Sequence, residues 1–117
     1  MLLRISEVSP QSIANTAWAF AKLDQCEAMM LEALARAMLL RISEFKTQEI
    51  ANTAWAFAKL DQLDEKLFAA LAREATLRMS EFNAQDIANT AWASAKLGQL
   101  DEELFRAMAR AGMLRMS

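Results

Sequence analysis

The 117-residue chain repeats itself every 37 residues. Residues 14–18 spell ANTAW, and so do residues 51–55 and 88–92. Three units fit, at 4–40, 41–77 and 78–114, and residues 115–117 begin a fourth. By direct count, 23 of 37 positions are identical between units one and two, and 25 of 37 between units two and three. A period this short marks a solenoid or array, because one unit cannot bury its apolar face alone and must stack on a copy of itself. One array over 1–117 is therefore the expected organisation. Such arrays normally end in polar capping units, and the pattern shows none. The chain is expected to be part of a longer array, or to pair at its ends. The opening MLLRISE recurs letter for letter at 38–44, so it is expected to be repeat sequence rather than a targeting peptide.

The composition sets the class of the repeat. Alanine, leucine, glutamate, lysine, arginine and methionine dominate, and these favour helices. Val8 is the sole valine, tyrosine is absent, and there are one proline and two glycines. The expected fold is all-α, an α-solenoid of helix-turn-helix units. Each unit carries two helical patterns. In unit three, Asn83 is the N-cap, Asp86 stands at the third helical position, and Phe82 is placed to staple onto Ile87. Unit one repeats the logic with Val8, Ser9 as cap, Pro10 and Ile13. In unit two Lys46 is a poor cap, and Thr47 is the alternative. Helix A then extends to about Leu23, Leu60 and Leu97. Gly98 suits the turn that follows, whereas Asp24 and Asp61 suit it less. Helix B starts near Asp64 and Asp101 and ends near Arg41, Arg78 and Arg115, with acid and base at the favourable ends of the dipole.

On a helical wheel, Ile13, Ala14, Ala17, Phe20, Ala21 and Leu23 fill one arc of the first helix A, which predicts its buried side. Gln11, Ser12, Asn15, Thr16, Ala19 and Lys22 fill the other arc. Trp18 sits on the border. Gln11, Asn15, Trp18 and Lys22 thus form a column at spacings of four, three and four. The column returns as Gln48, Asn52, Trp55 and Lys59, and again as Gln85, Asn89, Trp92 and Lys96. Side by side, three columns make a ladder of amide, amide, indole and ammonium groups. Amides bond base edges as donor and acceptor, ammonium groups meet phosphates, and indoles stack on bases. The nine amide and lysine positions are the expected contacts to single-stranded RNA. For Trp18, Trp55 and Trp92 two roles stand open, packing at the edge of the core and stacking on a base. Identical amides cannot distinguish different bases. A specificity code would fall on the positions that vary beside them, Ser12, Glu49 and Asp86, whose other explanation is helix capping.

Helix B is expected to bury Leu67, Phe68, Leu71, Ala72, Ala75 and Met79, and to expose Glu65, Lys66 and Arg73. The series Arg36, Arg73, Arg110 and the series Arg4, Arg41, Arg78, Arg115 suit structural pairing, the second with Glu7, Glu44 and Glu81. A further phosphate-binding ladder is the alternative.

Several classes of function drop out. The formal net charge is −2, so grip on nucleic acid by bulk positive charge is excluded and a local basic stripe is required. With no histidine and one cysteine, a zinc site and an internal disulfide are not expected. Cys26 aligns with Leu63 and Leu100 and suits a small buried hydrophobe. No apolar run reaches the ~18 residues of a membrane span. No glycine-rich loop or nucleophile–base pair is present, so no enzyme activity, cofactor or small-molecule substrate is expected. The acidic net charge and eight methionines keep a protein-interaction scaffold, or a structural spacer within a longer repeat protein, as the alternative reading.

The stretch ISEFKTQEIANTAWAFAKLDQLDEKLFAALARE at 42–74 resembles the repeat of the octotricopeptide and heptatricopeptide families. The most specific element is the phrase Q-x-x-[LI]-A-N-T-x-W-A-x-A-K-L, present three times with Ile13, Ile50 and Ile87. Such repeats occur in organellar proteins with RAP domains, in FAST-kinase-like proteins, in chloroplast translation factors and in RNA-editing substrate-binding complex subunits. The resemblance implies an α-solenoid in chloroplast or mitochondrion that binds organellar transcripts and acts in their processing, stability or translation. The chain departs from the octotricopeptide pattern in lacking a proline-rich PPPEW-type element and a RAP domain, so no base code carries over.

Overall fold

The structure, a computed structural model, describes residues 9–25, 27–62, 64–99 and 101–116, the side chains of 113–116 excepted. Helices α1 (Pro10–Lys22), α3 (Thr47–Lys59) and α5 (Ala84–Lys96) are the three A helices. The B helices are α2 (Ala28–Leu40), α4 (Glu65–Leu77) and α6 (Glu102–Met116). Every regular element among the described residues is helical, as the composition requires. Val8, Cys26, Leu63, Leu100, Arg4 and Glu7, and with them the expectations placed on these residues, lie outside the described residues.

The A helices lie side by side, α1 on α3 and α3 on α5, and the B helices form a second layer with α4 between α2 and α6. The result measures 50 × 25 × 22 Å. The A layer is tight because small side chains meet across it. Ala17, Ala54, Ala56, Ala58 and Ala93 are all essentially fully buried, and alanine lets helix axes approach closely. Thr53 and Thr90 are buried in the same seams, contrary to the wheel, which put their unit-one counterpart Thr16 on the open arc. A wheel shows one inner face, but a helix with neighbours on both sides buries its flanks too. Each threonine donates its hydroxyl to the carbonyl four residues back, Thr53 to Glu49 and Thr90 to Asp86, both at 2.8 Å. Burial therefore leaves no hydroxyl unsatisfied.

The helix starts follow the expected chemistry, with one correction. The Ser9 hydroxyl accepts from the Ser12 N–H at 3.1 Å, and Pro10 opens α1. Asn83 and Asp86 form a reciprocal capping box. Asn83 Oδ1 accepts from the Asp86 N–H at 2.7 Å, and Asp86 Oδ2 accepts from the Asn83 N–H at 3.3 Å. In unit two the cap position is Lys46 after all. A lysine side chain cannot accept, and it is the Glu49 carboxylate that reaches back to the Lys46 N–H at 2.8 Å. Thr47 is the first helical residue and turns its hydroxyl to Asp86 instead. Phe45 and Phe82, just ahead of α3 and α5, are buried to about the last percent, as the staple predicts.

All three A helices end in the same left-handed turn. Asp24, Asp61 and Gly98 have φ of 55°, 57° and 67°. The next N–H reaches back in each case, Gln25 to Phe20, Gln62 to Phe57 and Gln99 to Ser94, at 2.9 Å. These are Schellman closures, and they satisfy carbonyls the helix leaves orphaned. Asp64 and Asp101 then cap α4 and α6, accepting from the Leu67 and Leu104 N–H groups at 2.9 and 3.0 Å.

Leu67, Phe68, Leu71 and Ala75 face the core, as periodicity predicts. Met79 is also buried but lies in a 3-10 turn (Met79–Glu81) that the helical periodicity did not reveal; its counterpart is Ile42–Glu44. Arg78 sits at that junction. Its Nη1 donates to the Phe45 carbonyl at 2.6 Å, and Glu74 and Glu81 flank it at 3.6 and 3.8 Å. The arginine thus ties the start of unit three to the start of unit two across 33 residues of sequence. Leu23, expected in the core, is 69% exposed, whereas its counterpart Leu60 is buried. Only the middle unit has described neighbours on both sides to cover that corner.

Candidate functional site

The Gln–Asn–Trp–Lys columns lie on the open side of the A layer. Gln11, Gln48 and Gln85 are exposed, and so are Lys22, Lys59 and Lys96. Asn15 is exposed, and Asn52 and Asn89 are half-buried. Within unit three the column closes on itself: Gln85 Nε2 donates to Asn89 Oδ1 at 3.4 Å. The A helices pack flank to flank, so residues at equal positions in successive units become neighbours. Trp55 and Trp92 demonstrate it, with ring centroids 6.4 Å apart and planes tilted by 34°.

The tryptophans resolve the choice between packing and presentation differently along the array. Trp55 is half-buried against the core. Trp18 and Trp92 are each 43% exposed. An indole this open is not a fully buried core residue. The Lys22 ammonium lies 5.4 Å from the Trp18 ring centroid, within cation–π range. The lysines also stand in the last turn of each A helix, where the dipole favours a cation. Together they place three cations along one edge of the A layer.

The three varying positions part company. Ser12 is exposed and bonds Ser9 at 3.0 Å. Glu49 is half-buried and engaged with the Lys46 N–H. Asp86, placed on the open arc by the wheel, is 97% shielded (3% exposed). Its carboxylate is engaged with the Asn83 N–H and the Thr47 hydroxyl, both at 3.3 Å. The geometry gives Asp86 a structural place between α3 and α5 and takes its carboxylate off the surface. The sequence carried the signal, since Asn-x-x-Asp is a capping box.

Of the arginines, Arg36, Arg73 and Arg110 are exposed on the B layer. Arg41 pairs with Glu44 at 3.3 Å, and Arg78 is committed to Phe45, Glu74 and Glu81. The second arginine series is therefore structural where it is described. Among the described residues, no cluster of three or more histidine, cysteine, aspartate or glutamate side chains could hold a metal ion, and no helix is long and apolar enough to cross a membrane.

An open ladder of amides, indoles and ammonium groups on a helical array suits a flexible strand with planar bases and anionic linkers. Comparison with known proteins gives an RNA-related family. The family model of the RNA-editing substrate-binding complex 6 protein matches residues 5–114, which is nearly the whole chain and all three units. No curated protein matches the chain significantly. By that match, the chain belongs to the family of the RNA-editing substrate-binding complex 6 protein.

Proposed function

We propose that this array binds single-stranded RNA on the open face of α1, α3 and α5, as a non-catalytic part of an RNA-editing substrate-binding assembly. The observation that carries the reading is the ridge of tryptophans. Trp18 and Trp92 are large apolar side chains left 43% exposed beside lysines and primary amides. Bases stack on such rings in a sequence-tolerant way, the amides bond base edges or sugar hydroxyls, and Lys22, Lys59 and Lys96 meet phosphates. Three units hold about three nucleotides if each takes one. Affinity from this segment alone is then modest, with little discrimination among bases, because the amides are the same in every unit. Ser12 and Glu49 are the varying positions left to modulate it. The 37-residue period, similar to that of the heptatricopeptide unit, supports a repeat-per-nucleotide layout. The family's RNA-editing setting favours a mitochondrial role over a chloroplast one.

Filter binding of short homopolymeric RNAs at two salt concentrations tests this. Binding that weakens with salt, and weakens again when Lys22, Lys59 and Lys96 are changed to alanine, supports the reading. No binding at low salt, or binding indifferent to the triple change, refutes it. Because the family is named for a complex, protein partners are expected beside the RNA.

A further inference from the structure

The units differ at one buried position in a way that opens a hole. Helix A carries Phe20 in unit one, Phe57 in unit two and Ser94 in unit three. Between units two and three lies a cavity of about 150 Å³, lined by Ile50, Ala54, Phe68, Leu71, Ser94 and Leu104 among others. Between units one and two, the corresponding space is only about 80 Å³. Its lining residues Leu31, Glu32, Phe57, Gln62 and Asp64 stand 37 positions before Phe68, Ala69, Ser94, Gln99 and Asp101 of the larger cavity. Phe57 is 2% exposed and fills the space that Ser94 leaves open. The mouth also differs, since Ala69 replaces Glu32. None of the cavity's lining residues belongs to the Gln–Asn–Trp–Lys columns.

We propose that this cavity takes one phenylalanine side chain from a partner polypeptide. The chain itself supplies the template, because in the preceding unit the same notch is filled by a phenyl ring. A polypeptide suits the surroundings better than a free small molecule or RNA. A cleft between α4 and α6 adjoins the cavity, sharing Ala69, Ala72 and Asp101 with it, and adds Arg73, Thr76, Leu77 and Glu103. That cleft offers a backbone polar groups of both signs and an apolar shelf, while Asp101 and Glu103 repel phosphates. A single apolar anchor seated in a preformed pocket is a common core of protein recognition.

The probe is acetyl-Gly-Phe-Gly-amide, titrated into the 15N-labelled full chain and followed by NMR, with acetyl-Gly-Ala-Gly-amide as control. Saturable shifts at Ala54, Leu71, Thr90 and Ser94 with the first peptide alone are expected. Ser94→Phe, which restores the residue of the other two units, is expected to weaken binding about tenfold or more by occupying the pocket. Ala69→Glu, at an exposed position of α4, narrows the mouth as in unit one and is expected to weaken it as well. The proposal is overturned if both peptides give the same shifts, or if both variants bind like the parent chain. It is equally overturned if toluene binds as tightly as the phenylalanine peptide, or if adenosine displaces that peptide.

Discussion

Trp55 and Trp92 lie 6.4 Å apart, centroid to centroid, on helices that are not consecutive in the chain but adjacent in the A layer. The contact converts a sequence period into a surface period: residue i meets residue i+37. Their exposures differ, Trp55 half-buried and Trp92 43% open. The same residue type at the same repeat position therefore stabilises the stack in one unit and presents a ring in the other. Trp92→Ala is expected to weaken single-stranded RNA binding by about 1–3 kcal/mol, the worth of one base–aromatic stack, with little loss of stability. Trp55→Ala is expected to lower the thermal midpoint as well, since its ring packs on the core. RNA affinity and thermal melts of the two variants, measured in parallel, separate the two roles. Equal melting losses would contradict the difference in burial.

The left-handed turns at the ends of α1 and α3 give a second prediction. Asp24 and Asp61 hold φ of 55° and 57° where unit three has Gly98 at 67°. A non-glycine residue is disfavoured there by about 1 kcal/mol or more, partly offset by the greater chain entropy glycine loses on folding. Asp24→Gly and Asp61→Gly are each expected to stabilise the fold by about 0.5–1 kcal/mol, additively, because the sites are separate. Urea melts check it, and a fall in midpoint for either variant would show that the aspartate side chains contribute more than the backbone conformation costs.

Arg78 holds two units together through one carbonyl. Its bond to Phe45 is short, 2.6 Å, and its side chain is only about one-fifth exposed, at 21%. Arg78→Met keeps much of the aliphatic bulk but leaves that carbonyl without its charged donor. A loss of about 1.5–3 kcal/mol is expected. Arg73→Met, on the exposed surface of α4, is expected to stay within about 0.5 kcal/mol of the parent. Thermal or chemical melts of the pair distinguish a tie between units from a solvated charge.

Much of this was legible in the sequence, for identifiable reasons. The period fixed the number of units, Ser9 and Asn83 marked helix starts, and the columns came out on one open face because spacings of three and four put them there. What stayed hidden depends on neighbours. Thr53, Thr90 and Asp86 are polar residues that a single-helix wheel turns outward, and it is the adjacent A helices that bury them. Trp18 and Trp92 lean the other way, left open at a border the wheel could not assign. The substitution of Phe by Ser at 94 was visible in the text as one mismatch among many. Its meaning depends on a cavity that exists only once two units are stacked.

That cavity also gives the last prediction, which concerns stability and stands apart from any ligand. Ser94 is 3% exposed and borders about 150 Å³ of unfilled space, against about 80 Å³ beside Phe57. Unfilled volume in a core weakens it, because the lining atoms lose partners on one side. Ser94→Phe is expected to raise stability by about 1–2 kcal/mol, since the same backbone position accommodates phenylalanine one unit earlier. The opposite change, Phe57→Ser, creates a matching hole between units one and two and buries a hydroxyl, and is expected to cost about 3–5 kcal/mol. The asymmetry follows from packing. The cavity beside Ser94 has Ala69 and Ala72 of unit two at its rim and a cleft next to it, so its walls already stand around an open space. Beside Phe57 the space is smaller, about 80 Å³, and Glu32 stands where Ala69 does. Paired denaturant melts measure both changes. If Ser94→Phe destabilises the chain, the space beside α5 is not phenyl-shaped, and the repeat template for it fails.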